Sequence, residues 1–174
     1  YYKVYTPSWN SVKNIGVDAP RPVPGNIKSP DIWPQSSALD TWQMDGAMNR
    51  GATVVRPFAQ VGEQAAQVRL DHFIADIVDD YGATRDIPST DGTSCLSENL
   101  ALGEISPHQC WYAGHHALQE GKRGAEKFLK EVAWREFAYH LMHHTPHMLQ
   151  SNWRREWDAF PWKTDAESPE VLAW

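Results

Sequence analysis

The stretch from residue 124 to residue 162 constrains the fold more than any other part of this sequence. Its first half places apolar residues at helical spacing: Phe128, Leu129, Val132, Ala133, Phe137 and Leu141. A helix that is apolar nearly all round normally lies inside a domain. Yet Glu131 and Arg135 are four residues apart on one side of it, and Trp134 is next to them. Because burying charges costs desolvation energy, this side is either a buried ion pair with a packing aromatic or part of a polar site.

Composition limits the class of protein. The chain has 174 residues, nine of them Trp, and 41% hydrophobic content, which is enough for a real core and excludes disorder. Its net charge of −6 argues against nucleic-acid binding through bulk charge, although a local basic patch is compatible with it. Cys95 and Cys110 fit no disulfide framework and no zinc spacing. No apolar run reaches the roughly 20 residues of a membrane helix. We therefore expect a soluble, cytoplasmic chain without a membrane partner.

Residues 1–60 predict little regular structure. Tyr1–Pro7 looks like the last strand of a preceding domain, and six prolines follow between positions 20 and 57. We expect at most short helical turns, near residues 39–44. A structureless loop of this length is unusual inside a compact domain, so we interpret residues 1–60 as an interdomain linker with irregular packing. Apolar residues at both ends further predict that the chain is a segment of a longer protein.

Residues 61–174 predict helices separated by turns. The first helix spans residues 62–81, because apolar residues recur there at i, i+3, i+4 and i+7, and Arg69 falls on its opposite, polar face. Gly82 should end it. A short helix at 98–102 should be capped by Ser97, since serine is a favoured N-cap.

Two longer helices follow in the predicted order. One should open with Ser106 as N-cap and Pro107 at its first position, and run to about Gln119. The other follows a turn that ends at Gly124 and should stop before Pro146. No convincing strand follows the first few residues, so the predicted fold class is all-α.

The loop that precedes residue 98 carries the first candidate chemistry. Thr93, Ser94 and Ser97 place three hydroxyl groups beside the start of the short helix, where an anion such as a cofactor phosphate could bind. The same residues could equally be an ordinary cap that bonds only to its own backbone. The loop has no lysine and no G-x-x-x-x-G-K-[ST] pattern, which argues against a nucleoside triphosphate site.

Other polar clusters have plainer interpretations. The histidines at 140, 143, 144 and 147 have the spacing of a helical metal face, but Pro146 breaks the helix before the fourth, so we expect no metal site. Trp153, Arg154, Arg155 and Trp157 mix bases and indoles as single-strand binders do, or form a helical surface patch. Spacing alone leaves these alternatives open and names no reaction.

Four stretches resemble one protein family. TSCLSENLALGEISPHQCW (93–111) resembles the photolyase/cryptochrome signature T-S-x-L-S-x-x-L-x-x-G-x-[IL]-S-P, and EVAWREFAYHLMHH (131–144) resembles the family's E-L-x-W-R-[ED]-F-x-x-H-L helix. REWDAFPW (155–162) is similar to the segment ending F-x-W that follows it, and YKVYTP (2–7) looks like the [YK]-V-[FY]-T-P link between the two domains of the family. The motifs occur in the family's order and cover essentially the whole chain.

The resemblance implies a fold and cofactors. The chain would be the N-terminal half of the helical FAD-binding domain of a class I-like or class III-like photolyase. An α/β domain with an antenna chromophore, folate or deazaflavin, would precede it, and a short extended segment of that domain would remain at its N terminus. The parent would be a monomer that binds damaged DNA.

The resemblance also implies residue roles. The positions that match FAD-binding residues are Tyr81, Thr93, Ser94, Cys95, Leu96, Ser97 and Arg135. Cys95 stands where many members have arginine. Glu131 and Trp134 match the carboxyl and indole that contact a flipped pyrimidine dimer, and Arg135 matches a basic residue at the same cleft. Trp162 matches the outer end of the family's electron-transfer chain.

The implied activity is light-driven repair. Reduced FAD would donate an electron to a cyclobutane pyrimidine dimer and split it, as a deoxyribodipyrimidine photo-lyase does. Two alternatives stay open: a cryptochrome photoreceptor without repair, and an inactive structural or interaction fragment. We expect the isolated chain to be inactive, because half of the pocket would lie outside it.

Overall fold

The computed structural model describes residues 1–44, 46, 50–161, 163 and 165–173, and within them every regular element is helical, as predicted. The α-helices are α1 (Tyr5–Val12), α2 (Arg50–Val55), α3 (Glu63–His72), α4 (Tyr81–Thr84), α5 (Ser97–Ala101), α6 (Pro107–Gln119), α7 (Ala125–His144) and α8 (Pro169–Ala173). Short 3-10 turns lie at Leu39–Trp42, Arg56–Phe58, Val78–Asp80, Pro146–Leu149 and Arg155–Ala159. No helix in these ranges is long and apolar enough to cross a membrane.

The helices form two compact units, Ile15–Val132 and Tyr1–Asn14 with Ala133–Trp174. The predicted division of the chain at residue 60 stays a prediction.

The core of the unit Ile15–Val132 is built on the apolar stripe of α3 and its continuation. Ala66, Leu70, Phe73 and Val78 are fully or almost fully buried. They pack with side chains from the later elements: Tyr81, Leu96, Ile105, Cys110, Ala117, Ala125, Phe128 and Val132. Burying each large apolar side chain contributes about 1.5–3 kcal/mol, so this cluster is the main source of stability in the unit.

The predicted helix over residues 62–81 is longer than expected and changes type along its length. A π-helical turn (Phe73–Ile77) and a 3-10 turn join α3 to α4, which ends at Thr84. The prediction that Gly82 ends the helix is wrong, because Gly82 lies inside α4 and does not have the positive φ of a glycine cap. Ala75, within the π turn, accepts a hydrogen bond from Lys122 Nζ at 3.2 Å, so the turn also contacts the segment before α7.

The predictions for α6 and for the ends of α7 are confirmed. Ser106 caps α6 in a reciprocal arrangement with Gln109, and Pro107 is in its first turn. Helix α7 begins directly after Gly124. A Cβ atom at that position would collide with the Val78 carbonyl oxygen, so only glycine permits this approach. Helix α7 ends at His144, before the predicted break.

Helix α7 is not apolar all round, which corrects the prediction of an interior helix. The buried residues Ala125, Phe128, Leu129 and Val132 follow i, i+3, i+4 and i+7, which is one face of a helix, and Phe137 is buried further along. Trp134, by contrast, is 46% exposed. The wide apolar pattern therefore combines a core-facing stripe with aromatic surface.

The extended segment predicted at the N terminus is wrong for Tyr5–Pro7, which lies in α1. Tyr5, Trp9 and Val12 follow i, i+4 and i+7, and a proline in the first turn removes only an N–H that has no helical partner. Val4, directly before the helix, has an extended conformation (φ −132°, ψ 140°). Its origin in a preceding α/β domain stays a prediction.

Residues 15–61 contain more helix than predicted. The expected short turn is present at Leu39–Trp42, but α2 was not expected, since the sequence RGATVV contains a glycine and β-branched residues that disfavour helix. Several apolar side chains here are largely exposed, including Val23, Ile32 and Trp33.

Candidate functional site

Residues 93–97, which lead into α5, carry three side-chain hydroxyl groups. Thr93 and Ser97 are exposed and Ser94 is half-buried. The prediction that Ser97 caps the short helix is wrong, because α5 begins at Ser97 and its N-cap residue, Leu96, makes no side-chain cap bond. In the part of the chain that the structure describes, Ser94 Oγ and Ser97 Oγ make no hydrogen bond to protein. Thr93 Oγ1 lies 3.5 Å from Cys95 Sγ. These hydroxyls can therefore bond to a ligand.

The loop itself is anchored by its neighbours. Leu96 is 2% exposed and packs in the core, so its side chain holds the loop and cannot reach an external ligand. Cys95 has φ +51°, a left-handed conformation that residues other than glycine adopt rarely. At the other end, a Cβ on Gly92 would lie 2.5 Å from Thr84 Oγ1. The path of the loop is therefore tightly specified.

Arg69 bonds directly to this loop. Its Nη1 donates to the Cys95 carbonyl oxygen at 2.8 Å and to Asn99 Oδ1 at 3.0 Å, and it forms an ion pair with Glu98. The hydrogen bond from Arg69 is the main reason that the pKa of Glu98 is lowered. The sequence predicted Arg69 on the polar face of its helix but did not predict its burial: the side chain is only 13% exposed.

The same guanidinium also holds the segment that precedes α3. Arg69 Nη2 donates to the Phe58 carbonyl oxygen at 2.9 Å and Nε to Gln60 Oε1 at 3.1 Å. Asn99, fully buried, donates from Nδ2 to the Gln60 carbonyl oxygen at 2.9 Å and to Glu104 Oε2 at 2.7 Å. We call Gln60, Arg69, Glu98 and Asn99 the Arg69 cluster. Periodicity could not find it, because its members come from three separate segments.

Glu131 is paired with a residue that the sequence did not single out. Arg85 Nη1 lies 2.5 Å from Glu131 Oε1, and Lys127 Nζ lies 4.0 Å from the same oxygen. The hydrogen bond to Glu131 is the main reason that the pKa of Arg85 is raised. The Arg85 guanidinium also lies 5.3 Å from the centre of the Tyr81 ring, and burial raises the pKa of that phenol. Tyr81, Arg85 and Glu131 therefore form one contiguous group.

Arg135 has partners of its own on α7. Its Nη1 lies 2.7 Å from Glu136 Oε1, and its Nη2 donates to Tyr139 Oη at 3.3 Å. The guanidinium is 4.8 Å from the centre of the Tyr139 ring. Arg135 thus lies in a surface cluster, held by residues of its own helix.

Trp134 is stacked on Tyr5, with ring centres 3.9 Å apart and planes 10° from parallel. Phe137 contacts both rings edge-on, at 5.8 Å from Tyr5 and 5.7 Å from Trp134. We call Tyr5, Trp134 and Phe137 the aromatic row. One face of the indole is covered by Tyr5, while the residue as a whole stays 46% exposed. Tyr5 had been predicted in a strand, so its contact with Trp134 was missed.

His140 and His144 contact the first two residues of the chain. Tyr1 stacks on His144 at 4.5 Å, and the Tyr2 backbone N–H donates to His140 Nε2 at 3.2 Å. Burial is the main reason that the pKa of His144 is lowered, with a further effect from the neighbouring histidines. No cluster of three or more ligating side chains is present among the described residues.

The sequence also predicted a patch at residues 153–157 and an electron-transfer residue, Trp162. Arg154 lies 5.2 Å from the centre of the Trp153 ring, and Arg155 pairs with Asp158 at 3.5 Å, which fits a surface patch. Trp162, predicted as an electron-transfer residue, lies outside the described residues.

Comparison with known proteins gives these groups a context. Residues 128–174 match the family model of the FAD binding domain of DNA photolyase. The chain is 36% identical over 169 residues to a deoxyribodipyrimidine photo-lyase of Agrobacterium fabrum, a match that covers 96% of this chain and 35% of that protein. A deoxyribodipyrimidine photo-lyase of Thermus thermophilus is 33% identical over 164 residues, with 94% and 35% covered.

A solved structure agrees with these relatives. The crystal structure of a bacterial class III photolyase from Agrobacterium tumefaciens matches with a TM-score of 0.85 and 35% identity, over 99% of this chain and 36% of that one. This chain thus spans about a third of the length of the relatives that it matches. It belongs to the DNA photolyase/cryptochrome family and forms part of the family's helical FAD-binding domain.

Proposed function

We propose that this chain supplies part of the FAD site and part of the lesion site of a deoxyribodipyrimidine photo-lyase. The observation that carries the proposal is the similarity to a photo-lyase of Agrobacterium fabrum over 96% of the chain. The proposed reaction is the light-driven splitting of cyclobutane pyrimidine dimers in DNA. It belongs to the full-length protein, and we expect the isolated chain to be inactive.

The loop 93–97 fits the diphosphate of FAD. Ser94 and Ser97 have hydroxyls without a protein partner in the described ranges, and phosphate oxygens accept hydrogen bonds from such donors. Cys95, in place of the arginine of many relatives, adds no positive charge, so binding would depend on the hydroxyls and the loop backbone. Tyr81, which is buried beside Arg85, would pack near the cofactor from the core side. Bound in its reduced form, FAD would supply the electron for the light-driven reaction.

Trp134 would stack on the dimer after it leaves the duplex. Extruding a damaged pair costs less than extruding a normal pair, and an indole replaces the stacking that is lost. Tyr5 already covers one face of the indole, so the dimer would use the remaining accessible surface. A rigid aromatic pair presents this surface at little entropic cost.

Glu131 would contact the carbonyl side of the dimer. Arg85 binds one carboxylate oxygen, which fixes the side chain in place. We propose that the other oxygen accepts a hydrogen bond from the pyrimidine N–H group that lies between the two carbonyls. Arg135 would contribute positive charge that attracts the DNA, and its guanidinium is held by Tyr139.

Other parts of the proposal rest on the family resemblance alone. They are an antenna chromophore, folate or deazaflavin, in an α/β domain, electron transfer through Trp162, and a monomeric parent.

The test is a repair assay on the full-length protein that carries this chain. Reduced protein would be illuminated with blue light in the presence of an oligonucleotide with one cyclobutane thymine dimer. Trp134→Ala should weaken dimer binding about tenfold, since base–aromatic stacking contributes about 1–3 kcal/mol. Glu131→Gln, which keeps an acceptor for Arg85, should lower the repair yield more than the affinity.

The matched control is Glu126→Gln, because Glu126 is on the same helix and pairs with Lys130 at 2.7 Å. This variant should repair normally. Normal repair by both Trp134→Ala and Glu131→Gln would overturn the residue assignments. A full-length protein that binds FAD and absorbs blue light but repairs no dimer would point to a cryptochrome photoreceptor instead.

A further inference from the structure

We propose that Arg69 is the positioning residue of the diphosphate-binding loop: it holds residues 95–99 in the conformation that presents the hydroxyls of Ser94 and Ser97. The inference deepens the proposed function and rests on it. Arg69 itself would not contact the cofactor.

The hydrogen bonds of Arg69 carry this inference. A guanidinium has five N–H donors in a fixed planar fork, so its acceptors must be in defined positions. Arg69 uses all three of its nitrogens on acceptors from two other segments, 58–60 and 95–99. A single side chain therefore fixes the start of α5 against the segment that precedes α3.

The bond to Cys95 bears on the loop geometry most directly. Cys95 has φ +51°, and such a conformation persists only where the surroundings fix it. Arg69 Nη1 donates to the carbonyl oxygen of this same residue at 2.8 Å. Cys95 lies between Ser94 and Ser97, so a change in its backbone would move both hydroxyls.

Charge excludes a direct role in phosphate binding. Arg69 is paired with Glu98, and its side chain is only 13% exposed. The neutralised and largely covered guanidinium cannot attract an anion from solution. Its effect on a diphosphate must therefore act through the loop.

The experiment compares two flavins on the full-length protein after its cofactor has been removed. FAD contains the diphosphate, and riboflavin lacks it. Arg69→Ala should weaken FAD binding about tenfold or more, because bonds from a charged donor are lost and the loop is released. Riboflavin binding, measured by fluorescence quenching, should change less than about twofold. Arg69→Lys keeps the charge but not the fork and should give an intermediate loss for FAD.

Arg123→Ala is the matched control, because Arg123 is exposed and pairs with Asp80 at 3.4 Å. It should bind both flavins as the unchanged protein does. If Arg69→Ala does not fold, Arg69→Lys carries the test with the same flavin comparison.

The outcomes separate the two proposals. An unchanged protein that binds no FAD would overturn the proposed function, and the inference with it. Normal FAD binding by the Arg69 variants would overturn the inference alone. An equal loss of affinity for FAD and riboflavin would also overturn it, since that result indicates a general structural role.

Discussion

The Arg69 cluster and the aromatic row fix their side chains by different forces. Arg69 and Asn99 are held by directed hydrogen bonds between 2.7 and 3.1 Å, with Asn99 fully buried. Trp134 is held by stacking on Tyr5 while nearly half of its surface stays exposed. A buried hydrogen-bond network has one satisfied geometry, and its loss leaves polar groups unpaired. A stacked pair tolerates changes of ring with smaller losses.

The difference suits the two proposed tasks. A diphosphate is bound by hydrogen-bond donors at fixed positions, so the loop that carries them must be held in one conformation. A flipped base is bound mainly through its contact area with an aromatic ring, so it needs only a flat aromatic surface. We therefore expect a single substitution in the Arg69 cluster to cause a large loss of stability. In the aromatic row, the loss should depend on how much of the ring is removed.

The largest effect is expected at Asn99. Asn99→Leu keeps the volume but removes both donors and the acceptor. Arg69 loses one of its acceptors, and the Gln60 carbonyl oxygen and Glu104 Oε2 lose the donor that Asn99 supplies. The free energy of unfolding should fall by about 3 kcal/mol, measured by urea denaturation. Asn152→Ala is the control, since its bond to Asp158 at 2.8 Å is exposed. If Asn99→Leu lowers the free energy of unfolding by less than about 1 kcal/mol, the network does not depend on one hydrogen-bonded geometry.

The aromatic row should give a smaller, graded effect. A double-mutant cycle with Trp134→Ala and Tyr5→Ala would measure the coupling energy between the two rings from free energies of unfolding. We expect about 1 kcal/mol, because stacked pairs contribute about 0.5–1.5 kcal/mol. Trp134→Phe should retain most of that coupling. Equal coupling energies for the Phe and Ala variants would contradict a stacking interaction.

The sequence predicts these two regions to different degrees. The motifs 93–97 and 131–135 were located in advance, and so were the bounds of α6 and the ends of α7, because capping residues and helical breaks are local signals. The residues that contact these motifs were not predicted from the sequence. Arg69 was placed on the polar face of its helix without any partner. Arg85, 46 positions before Glu131, gave no periodic signal.

The errors share one physical cause. A side chain on the polar face of an amphipathic helix can still be buried by a segment far away in sequence, as Arg69 is by residues 58–60 and 95–99. Tyr5 was missed because residues 1–7 were predicted to be a strand, although a proline is tolerated in the first turn of a helix. Tertiary contacts decide both cases.

Acidification should affect the Arg69 cluster selectively. The pKa of Glu98 is lowered in the folded protein, chiefly by its hydrogen bond from Arg69. The stability contributed by this carboxylate is therefore present above the ordinary pKa of glutamate and is lost as the pH falls through the lowered value. Glu98→Gln should remove this part of the pH dependence.

The measurement is the difference in urea midpoint between the unchanged protein and Glu98→Gln, at neutral pH and stepwise in acid. The difference should be largest at neutral pH and should shrink as the pH falls. The effect is modest, because the Glu98 side chain is 41% exposed. A difference that grows in acid would reverse the sign assigned here.

The smallest effect is expected at Arg135, which is the counterpart of Arg69 on the other unit. Its ion pair with Glu136 involves a carboxylate that is 58% exposed, so solvent and salt screen the attraction. Arg135→Ala should lower the free energy of unfolding by about 0.5 kcal/mol at low salt and by less at high salt. Arg69→Ala should lose more, and its loss should depend less on salt, because most of the acceptors of Arg69 are uncharged oxygens. A loss at Arg135 as large as that at Arg69 would mean that stacking on Tyr139 fixes a guanidinium as firmly as a buried hydrogen-bond network does.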